Sequence, residues 1–380
     1  MRPLNIGITC YPTVGGSGVV ATELGKILAE RGHNVHFISS SFPFRLDKVY
    51  PNLYFHEVEV NQYQVFQYPP YDLTLASKMA EVVRSENLDI LHVHYAVPHA
   101  VCAKLAKDMT GGNVQVVTTL HGTDITVLGS DPTLKEVIRY GIEASDTVTA
   151  VSNSLAGQTN DLFHTTKHIE TIYNFIDERV YDSEMKENLR EEFGITGDER
   201  VIVHMSNFRP VKRTEDVFKA FEQVARHVPA RLLLIGDGPE RSSLMKQVKA
   251  ANMEQEVLFL GNQKRVAELL QMADVMLLLS EKESFGLAAL EAMAAGVPVI
   301  GTDIGGIPEV IGHNETGFIV PLGRPDLVSA HCVTLFNNPL LHTRFQQASK
   351  DRAQRLFSAA EIVSQYEKMY YHTLQRGGYQ

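Results

Sequence analysis

Three short runs combine residue types that together could hold a sugar nucleotide. In Ser280-Glu281-Lys282-Glu283-Ser284-Phe285-Gly286-Leu287-Ala288-Ala289-Leu290-Glu291, two carboxylates stand eight residues apart. Glu283 falls on a loop that ends a strand and Glu291 about one turn into the next helix. Carboxylates accept hydrogen bonds from sugar hydroxyls, and the N–H groups around Ser284, Phe285, Gly286 and Leu287 open a helix where an anion is favoured. In Ser206-Asn207-Phe208-Arg209-Pro210-Val211-Lys212-Arg213, Arg209 can grip a diphosphate bidentately and Lys212 adds a compact charge. In Tyr11-Pro12-Thr13-Val14-Gly15-Gly16-Ser17-Gly18, the glycines let the backbone turn sharply beside a ligand. Each run also has a plain structural explanation: a surface carboxylate, an exposed helical glutamate, a solvated basic turn, a tight strand-to-helix turn. The glycine loop is not G-x-G-x-x-G and no G-K-[ST] follows, so neither a dinucleotide site nor a P-loop is supported.

The elements that must position these runs alternate apolar stretches with segments of helical period, the pattern of βαβ units and parallel sheets. Leu4–Cys10, Asn34–Ser40, Asp89–Tyr95, Val114–Leu120, Asp146–Ser152 and Glu170–Tyr173 read as strands, with helices such as Val19–Arg31, Leu73–Asn87 and Pro132–Ala144 between them. A second series has strands at Arg200–Phe208, Arg231–Gly236, Val257–Leu260, Asp274–Ser280 and Val297–Gly301, and after a last short strand at Phe318–Val320 the chain turns helical to its end. The reading is therefore α/β, with two doubly wound Rossmann-like domains. Residues 1–173 form the first domain, 174–198 a polar linker with a short helix at Met185–Phe193, and 199–357 the second domain. Residues 358–380 form a helix that crosses back to the first domain. Ligands of such sheets bind outside the carboxyl ends of the strands, so the expected site is the cleft between domains.

Composition narrows the partners. The chain has 380 residues, 45 acidic against 35 basic, a net charge of −10, and 44% hydrophobic residues. At ~100–200 residues per domain that is two soluble domains. An acidic balance without a basic block excludes nucleic acid and an anionic membrane surface as main partners. No window approaches ~18 uninterrupted apolar residues, so no membrane span is expected. Cys10, Cys102 and Cys332 are too few and too scattered for a disulfide framework or zinc site, which suits a reducing cytoplasm. His92-Val93-His94 puts two imidazoles on one strand face without an evident third metal ligand.

Taken together, the Glu283/Glu291 motif, the Arg209/Lys212 cluster, the Gly15-Gly16 loop and Gly236-Asp237-Gly238-Pro239 resemble the retaining glycosyltransferases of family 4, and the match runs through the whole chain. The resemblance implies the GT-B architecture, two facing Rossmann-like domains. Thr9–Gly18, His92-Val93-His94-Tyr95 and Thr119–Thr126 are similar to members that move GlcNAc from UDP-GlcNAc to the hydroxyl of L-malate, the first step of bacillithiol synthesis. By the same resemblance Glu283 would meet the donor sugar hydroxyls and Glu291 the ribose. Arg209, Lys212 and Gly16 would meet the diphosphate, with Ser206 and Asn207 among the donor-binding residues beside them. His121 would lie near the sugar 6-hydroxyl and anomeric centre, and Gln263, with Gly261 and Asn262, near uracil. Many relatives carry Lys-Gly where this chain has Lys212-Arg213, which leaves Arg213 to add charge or face solvent.

For malate, Ser17, Tyr95, Thr119, Thr123 and Asn153 lie at carboxyl ends of strands or just after them, and each offers a side-chain donor. The chain contains no Asp-x-Asp, the pair metal-dependent sugar-nucleotide transferases commonly use, so no metal or other cofactor is expected. Self-association stays open. The rival readings are a UDP-GlcNAc 2-epimerase of the same architecture and a family 4 transferase with another acceptor.

Overall fold

The structure, a computed structural model, describes residues 2–12, 15–46, 48–60, 67–181 and 189–378, and among these described residues thirteen strands and their intervening helices build two separate parallel sheets. The first unit comprises Met1–Asn174 with Ala360–Gln380, and the second Phe175–Ala359. In the first, β1 (Asn5–Thr9), β2 (Asn34–Ser39), β3 (Leu53–Glu57), β4 (Ile90–His94), β5 (Gln115–Leu120), β6 (Thr147–Ala150) and β7 (Ile169–Thr171) pair in the order β3-β2-β1-β4-β5-β6-β7. In the second, β8 (Arg200–Met205), β9 (Ala230–Ile235), β10 (Val257–Gly261), β11 (Val275–Leu278), β12 (Val299–Thr302) and β13 (Gly317–Val320) pair in the order β10-β9-β8-β11-β12-β13. Each sheet reverses its strand order once, between β1 and β4 and between β8 and β11.

Local chemistry accounts for the elements. Central strands such as Ile90–His94 and Val275–Leu278 are buried at every position, as parallel strands covered on both faces must be. The Pro132–Ala144 helix starts where the Asp131 carboxylate accepts from the Thr133 N–H with Pro132 in the first turn, and the Tyr71–Glu86 helix ends at Asn87 in the left-handed region. One strand was not expected. Leu53–Glu57 is half-exposed and pairs only with β2 at the sheet edge, so its residues lack the apolar run that marks the central strands.

The expected linker is largely part of the second unit where it is described. Leu189 and Ile195 are buried there, and Arg190 donates to the Asp274 carboxylate at 3.0 Å and to the Met272 carbonyl. Of the short helix expected at Met185–Phe193, residues 185–188 lie outside the described residues, as do Thr13 and Val14 of the glycine loop; Leu189–Glu192 is helical.

The chain's last helix, Ala359–Arg376, lays Tyr366, Met369, Tyr370 and Leu374 against the first sheet. The contact is polar as well as apolar. Tyr370 hydroxyl hydrogen-bonds His92 Nδ1 at 2.6 Å, and Thr373 hydrogen-bonds Thr147 at 2.7 Å. Removing one partner strands the other in a dry layer. Tyr370→Phe should therefore lower unfolding free energy by about 1–3 kcal/mol, read from urea denaturation; an unchanged midpoint would show that the His92 contact contributes nothing.

Candidate active site

The sequence motifs collect at the two places where strand order reverses. In the second unit the loop after β8 carries Ser206–Arg213 and the loop after β11 carries Ser280–Gly286. They touch: Lys212 Nζ donates to Glu283 Oε2 at 2.7 Å, and Ser280 hydroxyl donates to the same oxygen at 3.4 Å. The three neighbouring cations differ in availability. Arg213 is held by Asp216 at 2.7 Å and approaches Glu281 at 3.8 Å, whereas Arg209 is exposed and has no ion-pair partner among the described residues. Arg213 is thus committed to its own helix.

Phe208 and Arg213 adopt positive φ angles of 37° and 52°, which bend the turn tightly. Its shape is enforced from outside. A Cβ on Gly236 would lie 1.9 Å from the Ser206 carbonyl oxygen, and one on Gly238 1.9 Å from that of Asn207, so Gly236-Asp237-Gly238 serves as a close-packed backing. Asn207 is exposed. Gln263 is exposed too, and its side chain donates to the Leu260 carbonyl at 2.6 Å.

Glu291 is buried inside the Leu287–Ala294 helix, one turn from its start, while Glu283 is partly buried on the loop. Gly286 ends the loop at φ 99°, and the first N–H groups of the helix from Leu287 onward have no acceptor within it. Ser284 is half-buried. The Phe285 ring is buried against Phe357, so what Phe285 offers a ligand is backbone. The Glu283–Phe285 loop has a support the sequence reading passed over. Gly306 N–H donates to the Glu283 carbonyl at 3.1 Å, and a Cβ on Gly305 would sit 1.9 Å from that oxygen. Two adjacent glycines in the loop after β12 were the available signal.

In the first unit the loops after β1 and β4 also meet. Ser17, in the first turn of the Gly16–Glu30 helix, hydrogen-bonds the Tyr95 hydroxyl. Gly16 is exposed at the start of that helix. Tyr95 sits at φ 85° with its N–H on the Thr119 carbonyl at 2.9 Å, and its ring lies 5.4 Å from that of His121. His121 is half-buried, stacks on His94 and hydrogen-bonds it at 2.7 Å. Buried Asp124, which the sequence reading left without a role, ties the β4 and β5 loops together by accepting from the N–H groups of Ala96 and Gly122 at 2.8 and 3.1 Å.

Two acceptor-side expectations keep exposed side chains: Thr123, and Asn153, whose amide also donates to Tyr173 at 2.9 Å. Thr119 needs correction. Its side chain is fully buried, and its hydroxyl is shared between His92 Nε2 and Thr149, each at 2.7 Å. It braces the layer beneath the loops and has no donor to spare. His92 and His94 belong to the same layer, and among the described residues no group of three or more His, Cys, Asp or Glu is placed to hold a metal ion. No helix of the described residues is long and apolar enough to cross a membrane.

The family model described as Glycosyltransferase Family 4 matches residues 14–180, and the one described as Glycosyl transferases group 1 matches residues 185–352. The chain is 60% identical over 371 residues to N-acetyl-alpha-D-glucosaminyl L-malate synthase of Bacillus anthracis, across 98% of this chain and 97% of that protein. It also resembles a solved glycosyltransferase from Rickettsia africae ESF-5, with TM-score 0.83 and 22% identity over 98% of this chain and 99% of that one. An Anabaena protein solved in complex with UDP-glucose gives TM-score 0.81 and 18% identity over 97% and 100%. At these identities the structural likeness is one of fold, the GT-B type.

Burial sets the charge state of the imidazoles. It pulls His92 and His121 down to about 3 and His99 and His204 to about 4, all from an ordinary value of 6.5. Asp124 moves the other way, raised by burial to about 6 from 3.8. Between pH 4 and 6.5 the unfolded chain binds protons that the folded histidines refuse, so stability rises with pH and is complete above 6.5. Asp124 opposes this below pH 6, but it is one group against these four histidines and also His36 and His94, which burial likewise holds low. The urea midpoint should climb from about pH 4.5 to pH 6.5 and then level, and His92→Gln should reduce the slope by up to about 1.4 kcal/mol per pH unit. A profile that is flat in the wild type, or unaltered in His92→Gln, would contradict the neutral-imidazole layer.

Proposed function

The chain belongs to glycosyltransferase family 4, and on that premise we propose that it moves GlcNAc from UDP-GlcNAc to the hydroxyl of L-malate with retention. UDP leaves without help from a metal ion or other cofactor, and the reaction belongs to the cytoplasm. The observation that carries the transfer reading is the meeting of Lys212 and Glu283, 2.7 Å apart at the strand reversal of the second sheet, on a turn that also carries exposed Arg209. The choice of substrates is supported by the activity named for the Bacillus anthracis relative. A reducing compartment is supported by Cys10, Cys102 and Cys332, all buried as free thiols.

The chemistry follows from where charge develops. As the anomeric bond to UDP breaks, negative charge grows on the diphosphate, so Arg209, Lys212 and the N–H groups opening the Leu287–Ala294 helix bind the transition state more strongly than the ground state. Glu283 accepts from sugar hydroxyls and Glu291 from the ribose; neither acts as a glycosidase carboxylate. Retention is explained by attack from the leaving-group side, the malate hydroxyl proton passing to a departing phosphate oxygen. Neutral His121 orients the sugar beside Tyr95. Ser17, Tyr95, Thr123 and Asn153 offer hydrogen bonds to the malate carboxylates.

Incubation with UDP-GlcNAc and a panel of hydroxy acids, scoring UDP release and product mass, tests the whole reading. Malate alone should sustain release. Equal release with malate, lactate and water would refute the acceptor, and conversion of UDP-GlcNAc without acceptor would indicate the epimerase. Activity that collapses in EDTA and returns with Mn²⁺ would refute metal independence. Lys212→Ala should lower kcat/KM for UDP-GlcNAc by roughly 1.5–3 kcal/mol, a loss of about 10- to 150-fold; near-wild-type turnover would remove Lys212 from the diphosphate site.

A further inference from the structure

His204, the next-to-last residue of β8, is fully buried and bonded at both ring nitrogens. Nδ1 lies 2.9 Å from the Leu277 carbonyl oxygen of β11, and Nε2 lies 2.8 Å from the Ser206 hydroxyl. A carbonyl oxygen can only accept, so Nδ1 carries the proton. Burial holds the ring neutral, so Nε2 is a bare acceptor. Ser206 must then donate its only hydroxyl proton to His204. The Phe208 N–H in turn donates to Ser206 Oγ at 3.2 Å. The direction of every bond in this chain is fixed by the carbonyl at its end.

We infer that His204 and Ser206 are positioning residues of the donor site: the relay from Leu277 through His204 and Ser206 to the Phe208 N–H fixes the turn that presents Arg209 and Lys212, and Ser206 donates nothing to the donor substrate. This rests on the donor reading of Arg209 and Lys212. The turn needs such an anchor. Phe208 holds φ 37°, its carbonyl is pinned by the Glu240 N–H at 3.0 Å, and Gly236 and Gly238 back the carbonyls of Ser206 and Asn207. Those contacts hold one side, and the relay holds the other. It also links the turn to the strand that leads into Glu283, because β8 and β11 are the neighbours at the reversal. The sequence reading placed Ser206 among the donor ligands; an anionic diphosphate needs a proton that this hydroxyl has already committed.

The test uses UDP as probe, with calorimetric affinities for the wild type, Ser206→Ala, His204→Phe and the double variant. Each single change should weaken UDP binding by about two- to tenfold, the loss expected when a neutral positioning bond is removed. The double variant should be no weaker than the worse single one. KM for UDP-GlcNAc should rise with it while KM for malate stays put. Losses that multiply in the double variant, or an unchanged affinity in Ser206→Ala, would overturn the relay. Should His204→Phe fail to fold, ¹⁵N NMR of the histidine-labelled wild type decides: a proton on Nδ1 of His204 supports the relay and one on Nε2 overturns it. A wild type that binds no UDP would overturn the donor reading itself, which separates that failure from failure of the relay alone.

Discussion

Reversal of strand order beside the first strand of each sheet is the constraint from which the candidate site follows. At a reversal two neighbouring strands send their following chain to opposite faces, so the loops leaving them diverge and a crevice opens at their carboxyl ends. β1 and β4 make one such point, β8 and β11 the other. In both units a side-chain hydrogen bond spans the crevice, Ser17 to Tyr95 in the first and Lys212 to Glu283 in the second. Nothing in the loop sequences alone would bring residues 78 or 71 positions apart into contact. The sheet order does.

That geometry resolves how an acidic protein can receive anionic substrates. The net charge of −10 is distributed so that most cations near the second crevice are already neutralised: Lys212 by Glu283 and Arg213 by Asp216. The Lys212 pair is partly buried, with side-chain exposures of 19% and 16%, where solvent screens it less than at the surface. A diphosphate entering this crevice would meet exposed Arg209 first and would compete with Glu283 for Lys212. On the proposed reading, such a site would favour small ligands that satisfy both groups at once, one end anionic for the lysine and the other bearing hydroxyls for the carboxylate. A polyanion supplies only the first.

Much of this was legible in the residues. Alternating apolar runs and helical periods defined both sheets' central strands, and motif loops placed directly after strands located both crevices. What escaped the sequence has identifiable physical causes. Leu53–Glu57 was hidden because an edge strand is half-solvated and carries no apolar run. Thr119 and Ser206 carry the right donor at the right end of a strand, yet their hydroxyls are already engaged by His92, Thr149 and His204. Residue type reveals a donor; only packing reveals whether its proton is spent. Gly305-Gly306 was visible as a pair, but its purpose, admitting the Glu283 carbonyl, depends on a loop more than twenty residues earlier.

The histidines show the same distinction at the scale of a layer. His92 and His94, on one strand face, invite a metal reading, but one is bonded between Tyr370 and Thr119 and the other to His121. An apolar residue at position 92 would fill the space but break the bonds to the Tyr370 and Thr119 hydroxyls, leaving Thr119 only its bond to Thr149, at the cost of unmade hydrogen bonds in a dry interior. A charged residue would have to be desolvated. Neutral imidazole avoids both penalties because it donates from one nitrogen and accepts at the other. It can therefore pass orientation from the last helix of the chain to the ends of β4 and β5. His204 does the same between β11 and the turn that carries Arg209 and Lys212. The two units thus reach one solution to one problem: the loops at both reversals are anchored by uncharged two-sided side chains, so the anchoring adds no charge of its own there.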